Sequence, residues 1–334
     1  MKNKRVAIII ALLILALNIF SAPKYVFKFA SDLPDGSSWI VSMRDINTKL
    51  MERTNGQVSV IIYPGGVMGD QSNVIKKIKI GELTGSTFSS GGMGLIYKDF
   101  AVMGFSMLFK NYEEYDYVKL KMTPFFENEF EKRGYILLSL SEVGLIYLFS
   151  SKKVYSVDTL RKSKPLVLPD DDISQALYDE IKASPVPVQI SDVLTGLQTG
   201  LLDTVTCSPY ALIITQWFTK VKYMADYPIT LMIGGIMVEK NLFNSMPAEY
   251  QGYFKSLFKT TFDNLNTKVR KDNEIAMESL KKAGIVVLHV PDQDRDIFID
   301  VCNRTALKLT EKDYSRDILN RIKGYVVEYR NSKR

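Results

Sequence analysis

Between residues 185 and 209 the apolar positions change period in a fixed order: PVPVQISDVLTGLQTGLLDTVTCSP. Val193, Leu194 and Leu197 recur at helical spacing, and Ser191 or Asp192 stands where a side-chain oxygen caps the free amides of a first turn. Gly200 follows at the position a left-handed C-cap needs. Residues 201–206 then read as a short buried strand that ends in the small residues Cys207 and Ser208. Residues 70–92 repeat the order. Val74, Ile75 and Ile78 share a helical face, Gly81 ends it, residues 83–88 form the strand, and Ser89, Ser90, Gly91 and Gly92 close it. Two copies of one α/β unit predict two similar lobes.

The rest of the chain alternates in the same way. A first strand spans 25–29 and a loop 32–38, followed by an amphipathic helix over 39–54 carried by Trp39, Ile40, Met43, Ile46 and Leu50 and ending at Asn55-Gly56. A second strand, 58–63, runs into Pro64-Gly65-Gly66; residues 100–109 are apolar and aromatic, and 112–133 are helical. Strands are predicted at 135–139, 145–150, 165–168, 231–238 (with Gly234-Gly235) and 285–290. A long helix over 247–283 aligns Phe254, Leu257, Phe258, Phe262 and Leu265 before Gly284. Alternating strands and helices imply parallel sheets covered on both faces, with a cleft at the carboxyl ends of the strands.

At 334 residues the chain is long enough for two lobes with cores of their own. Residues 1–22 read as a signal peptide: Lys2, Lys4 and Arg5 precede an apolar run over 6–20 that is too short for a spanning helix. Two cleavage sites fit, after Ser21 or Ala22, and retention as an uncleaved N-terminal anchor stays open; either way the body is exported to the periplasm. The net charge of +6 is scattered without interleaved aromatics, so no nucleic-acid partner is expected. Cys207 and Cys302 have no disulfide framework around them and are read as two buried thiols. One histidine, His289, read as packed in its strand, and no C-x-x-C speak against zinc. The acidic run 170–172 lacks calcium-loop spacing and is read as a solvated helix N-terminus. No nucleophile–base pair and no phosphate loop occurs, so no cofactor and no enzyme activity are expected. Binding is the class that remains.

GLQTGLLD resembles the A-L-Q-x-G-x-x-D signature of the solute-binding proteins of tripartite ATP-independent periplasmic (TRAP) transporters. FASDLPDGSSW, NGQVSVIIYPGGVMGDQSNVIKKIKIGEL, VMGFSMLFKNYEEY, KVKYM and EKNLFNSMPAEYQ are similar to further family segments and stand in the family's order from about residue 25 to 290. The resemblance implies a bilobal periplasmic-binding-protein fold: two mixed-sheet α/β lobes joined by hinge strands and by a long helix spanning both. We divide the chain into residues 23–145 with 233–270 for the first lobe and 146–232 with 271–334 for the second. It also implies a small-molecule ligand and delivery to a membrane permease. Family members commonly hold an organic acid by arginine, whose guanidinium meets a carboxylate two-pronged. Here the matching strand position is Leu166, a second arginine position is Ile146, and the family's asparagine falls on Cys207. Arg161, Lys162 and Lys164 stand nearby, and a register shift that restores a base is left open. An unpaired carboxylate among such residues is costly, so the expected ligand is uncharged or hydrophobic, lipid-like in one version. The expected lining is Trp39, Ser90, Met93, Phe105, Phe109, Ile146, Tyr147, Leu166, Cys207, Tyr210, Trp217 and Gly234. The departure from the arginine pattern resembles a subgroup that works with a tetratricopeptide-repeat partner. Carboxylate binding by a non-standard clasp, and a degenerate receptor acting as an interaction partner, are the alternatives.

Overall fold

The computed structural model describes residues 22–169 and 171–333, so the leader read at 1–22 lies, apart from Ala22, outside the described residues. The first half runs β1 (Tyr25–Ala30), α1 (Ser38–Arg53), β2 (Val58–Tyr63), α2 (Gln71–Lys79), β3 (Gly85–Ser89), α3 (Ser90–Ile96), a 3-10 segment (Lys98–Gly104), α4 (Tyr112–Lys132) and β4 (Tyr135–Ser150). Then come α5 (Val157–Arg161), β5 (Leu166–Val167), α6 (Asp172–Ile181), β6 (Val186–Pro187), α7 (Val193–Thr199), β7 (Thr204–Cys207) and α8 (Pro209–Ile214). β8 (Tyr223–Ala225), β9 (Thr230–Glu239), α9 (Lys240–Ser245), α10 (Ala248–Lys282), β10 (Val286–Leu288), α11 (Asp292–Lys312) and α12 (Arg316–Ser332) complete the chain.

Side-chain caps start several helices but not α7. Asp192 precedes it in helical conformation and caps nothing, because a short 3-10 turn over Ile190–Asp192 leads into the helix, so the cap expected at Ser191 or Asp192 is absent. Asp70 accepts from Asn73 N at 2.7 Å to start α2, and Asn111 from Glu114 N at 2.9 Å to start α4. Asp171 accepts from Ser174 N at 3.0 Å, so the described part of the acidic run opens α6 as a capped N-terminus. Gly200 ends α7 in the left-handed conformation its sequence position predicts.

β1, β2 and β3 are parallel, β9 is antiparallel to β3, and β4 is antiparallel to β9. Beyond its middle, β4 pairs antiparallel with β7 and β8 instead, giving one eight-stranded sheet ordered β10-β8-β4-β9-β3-β1-β2 with β7 alongside β4. The sheet is therefore mixed, not parallel throughout. The two strands expected at 135–139 and 145–150 are a single strand, broken in register at Leu137/Ser139 and Glu142/Gly144. A bulge resets the alternation of side chains, which is why one strand reads as two. β4 and β9 are thus shared by two lobes, and the second shift marks the crossing.

α10 is shared as well. Its Phe254, Phe258, Phe262 and Leu265 pack with Phe27, Phe29 and Ile46 of the first lobe, while Leu280 packs with Val205, Cys207 and Trp217 of the second. α12, grouped with the second lobe by position, buries Ile318, Leu319, Ile322 and Val326 in one cluster with Phe126 and Phe130 of α4. Cys207 and Cys302 are buried free thiols. The strand read at 285–290 stops at Leu288, so His289 is not packed: its side chain is 82% exposed and meets Asp226 Oδ2 at 2.8 Å.

Candidate ligand-binding cleft

Strand directions bring two sets of strand ends to the crossing between the lobes. The carboxyl ends of parallel β1 and β3 finish at Ala30 and Ser89, and Ser89 stands opposite Gly234 of β9. From the other lobe β7 runs antiparallel to β4, setting Cys207 opposite Tyr147, and Pro165 bridges Thr204 in parallel, so β5 points the same way. Open α/β sheets bind ligands at such ends.

The second lobe's wall is apolar. Leu166, Cys207 and Trp217 share one cluster with Phe149 and Val205, and Tyr147 packs against it. Ile146 is 3% exposed and alternates onto the other face of β4. Tyr210, at the start of α8, is 43% exposed. Burial raises the phenol of Tyr147 above its usual range, and burial raises the Cys207 thiol further, so both stay neutral.

Three of the basic residues near this wall in sequence are bonded elsewhere. Arg161 donates to Ile181 O at 2.8 Å and to Asp158 at 2.7 Å. Lys164 Nζ reaches Gly200 O at 2.9 Å, and Lys152 Nζ reaches Asp203 Oδ2 at 2.9 Å. Asp203, the acid of GLQTGLLD, also accepts from Lys164 N at 2.6 Å and Thr204 Oγ1 at 3.0 Å. Burial opposes its charge, but these donors outweigh it and hold the carboxyl below its ordinary value. It fastens the start of β7 to the residues that lead into β5 and out of β4.

On the first lobe, Met93, Phe105 and Phe109 are almost fully buried in one cluster. Phe105 meets Tyr314 edge-on at 5.6 Å, and Phe109 meets Tyr115 at 5.6 Å. Ser90 opens α3 beside Gly104, and Gly234 lies so near β3 that a Cβ would sit 2.2 Å from Phe88 O. Trp39 is apart from these, edge-on to Phe262 of α10 at 5.3 Å. The structure therefore gathers Tyr147, Leu166, Cys207 and Trp217 in one cluster and Met93, Phe105 and Phe109 in another, sets Ser90 and Gly234 at the end of β3, and leaves Trp39, Ile146 and Tyr210 outside both groups.

One polar group was not singled out by sequence. Gln71 donates to Asp32 Oδ2 at 3.1 Å and accepts from Ser89 N at 3.2 Å and Ser89 Oγ at 3.1 Å, joining the ends of β1 and β3. A cavity of about 30 Å³ beside it is lined by Ser31, Asp32, Asp70, Gln71, Ser86 and Thr87. Its place directly after G-D in the quoted PGGVMGDQ segment was the available signal. A larger cavity of about 190 Å³ lies among Val157, Arg161, Glu180, Ile297, Val301 and Arg304, away from these strand ends. Among the described residues no three His, Cys, Asp or Glu side chains form a metal-holding group. No helix among them is long and apolar enough to cross a membrane.

A TRAP periplasmic solute-binding protein from Ochrobactrum anthropi, solved with its C-terminus in its ligand-binding pocket, superposes with a TM-score of 0.82 at 19% identity, covering 93% of this chain and 97% of that one. A second, from Pseudomonas putida F1 with bound D-glucuronate, gives 0.77 at 20% identity, covering 89% and 96%. The C4-dicarboxylate-binding periplasmic protein DctP of Rhodobacter capsulatus is 26% identical over 255 residues, 71% of each chain. The model of bacterial extracellular solute-binding protein, family 7, matches residues 29–313. With two α/β lobes meeting at converging strand ends, the chain belongs to this family of TRAP-transporter solute receptors, the DctP family, and not to a family of enzymes.

Proposed function

We propose that this receptor closes on an uncharged or hydrophobic ligand between its lobes and hands it to a TRAP membrane permease. The observation carrying the ligand class is the wall of Leu166 and Cys207, with Tyr147 against it: buried, electrically neutral, and with Arg161, Lys152 and Lys164 already bonded elsewhere. A carboxylate there meets neither a guanidinium nor a free ammonium, and an unpaired buried charge costs several kcal/mol, of the order of what binding releases. At the other side Asp32, Asp70 and Gln71 offer mainly acceptors, which suit hydroxyl donors on the ligand. Of the twelve positions named from sequence, the proposed lining keeps those grouped around Cys207 and Met93 with Ser90 and Gly234, and adds Gln71; Trp39, Ile146 and Tyr210 stand outside it. Export through residues 1–22, whether the leader is cleaved or retained, and a tetratricopeptide-repeat protein as second partner complete the proposal.

Similarity to a C4-dicarboxylate-binding protein and to a receptor holding D-glucuronate favours a second reading, an organic acid held by a clasp other than arginine. Native mass spectrometry of the gently purified chain, followed by organic extraction, separates the two. A co-purifying apolar molecule that is lost in Leu166→Arg is the expected result. An empty protein whose melting temperature rises with D-glucuronate or a C4-dicarboxylate overturns it; at a hundredfold excess over Kd such binding adds about 2.7 kcal/mol.

A further inference from the structure

Positive charge that is scattered along the chain collects at one end of the fold. β4 ends at Ser150, and opposite that residue stand Thr204, which begins β7, and Tyr223, which begins β8. Val286 begins β10 opposite Tyr223, and Pro165, at the entry to β5, bridges Thr204. The loops 151–153, 162–164, 200–203 and 219–222 and the end of α10 at 281–284 therefore meet at the end of the second lobe turned away from Tyr147 and Cys207. They carry Lys152, Lys153, Lys162, Lys164, Lys220, Lys222, Lys281 and Lys282, all exposed.

The acids set among them are engaged. Buried Asp203 takes Lys152 Nζ at 2.9 Å, and Glu278 takes Lys281 Nζ at 2.7 Å. Among the described residues no acid pairs with Lys153, Lys162, Lys164, Lys220, Lys222 or Lys282. Arg161, beside the patch, is bonded to Asp158 and to Ile181 O. Leu201, 51% exposed, and Tyr223, whose ring centroid lies 5.7 Å from Lys222 Nζ, set apolar surface between the ammonium groups. The opposite end of the molecule, where β1 and α10 begin and β9 ends, differs: Arg53 meets Glu249, Lys240 meets Glu131 and Arg133 meets Glu129.

Like charges gathered on one face repel one another, and an anionic surface removes that repulsion. A single anionic group held in fixed geometry favours the guanidinium fork, whereas ammonium groups on flexible stems act as point charges. Lysines alone, spread over five segments at one sheet end around an exposed leucine, match a fluid plane of headgroups with an apolar layer beneath it. We propose that this end of the second lobe docks on a membrane surface rich in acidic phospholipid. The cleft then lies on the far side of the second lobe from the lipid. The inference uses the second lobe alone and holds whatever ligand the cleft takes.

The test uses residues 23–334, which hold both lobes entire, so that the apolar leader adds no affinity of its own. Partitioning is read by co-sedimentation with vesicles of phosphatidylcholine alone or mixed with phosphatidylglycerol. The protein is expected on the mixed vesicles only, and to leave them as salt is raised, because screening shortens the reach of exposed charge. Each lysine near an acidic surface strengthens partitioning about fivefold, so Lys153→Gln/Lys220→Gln/Lys282→Gln loses on the order of a hundredfold. Those three side chains are exposed and pair with no acid among the described residues, so their loss leaves the fold intact. Lys76→Gln/Lys79→Gln/Lys255→Gln removes equal charge from the exposed surface of the first lobe and keeps wild-type partitioning. Equal losses in the two variants, or a wild type that binds neither vesicle, overturn the proposal. Lysine-dependent binding to polyglutamate without binding to mixed vesicles also overturns it, and assigns the face to an acidic protein.

Discussion

At Asp203 one carboxylate receives a backbone amide, an ammonium and a hydroxyl, so the signature acid is structural. Its carboxyl is held below the ordinary value of 3.8. A depressed carboxyl contributes stability that is present above the unfolded value and lost as pH falls through the folded one. Thermal denaturation across pH is therefore expected to show Asp203→Asn melting well below wild type at pH 6, with the gap narrowing as pH drops below 3.8. A gap independent of pH would mean that the ionised form adds nothing. Individual residues were unevenly legible. Gly200 announced its role because a left-handed cap has few chemical solutions. Gln71 did not, because a side-chain amide bonding across a sheet end has no period and no propensity. His289 misled because its strand ends two residues earlier than its apolar pattern.

Among the elements, α10 was read almost to its ends, since an apolar face repeated over 35 residues outweighs local noise. Its stack shows what that face does. Phe254 and Phe258 lie 4.7 Å apart, and Phe27 and Phe29 reach them from β1 at 4.7 and 5.7 Å. Phe258→Ala opens a cavity at a fully buried position and is expected to cost about 3–5 kcal/mol in denaturant unfolding. A loss under 1 kcal/mol would show that the helix is held chiefly elsewhere. β4 was read as two strands because its alternation is reset twice; only pairing with β9 shows that the chain continues. The polar face of α10 was invisible for a related reason. Asn266, Arg270 and Asn273 look like a solvated stripe until the edge of β4 is laid beneath them.

For the whole molecule, the bilobal plan was legible through ordered family motifs, and each lobe repeats the helix–glycine–strand unit seen in sequence. The cleft was less so, because only seven of the twelve expected positions fall into two buried clusters, which no linear pattern separates. Order of assembly follows from where the first lobe finds its parts. Its sheet joins residues 25–89 to 135–142 and 232–239, and α4, already packed on Tyr97, Phe100 and β4, also buries residues against α12, some two hundred residues downstream. Folding units usually form in the order in which they are synthesised. Here the core around α4 is not complete until the last helix arrives, whereas β1 and β2 pack on α1 and α10. Removing residues 316–332 is expected to leave a compact chain that binds a hydrophobic dye and lacks sharp side-chain packing, read by fluorescence and near-UV circular dichroism. A truncated chain with native signals would show that the first core closes without its lid. The late closure makes the nascent chain slow to commit, a delay that would serve a polypeptide exported before it folds, as the leader read at residues 1–22 proposes.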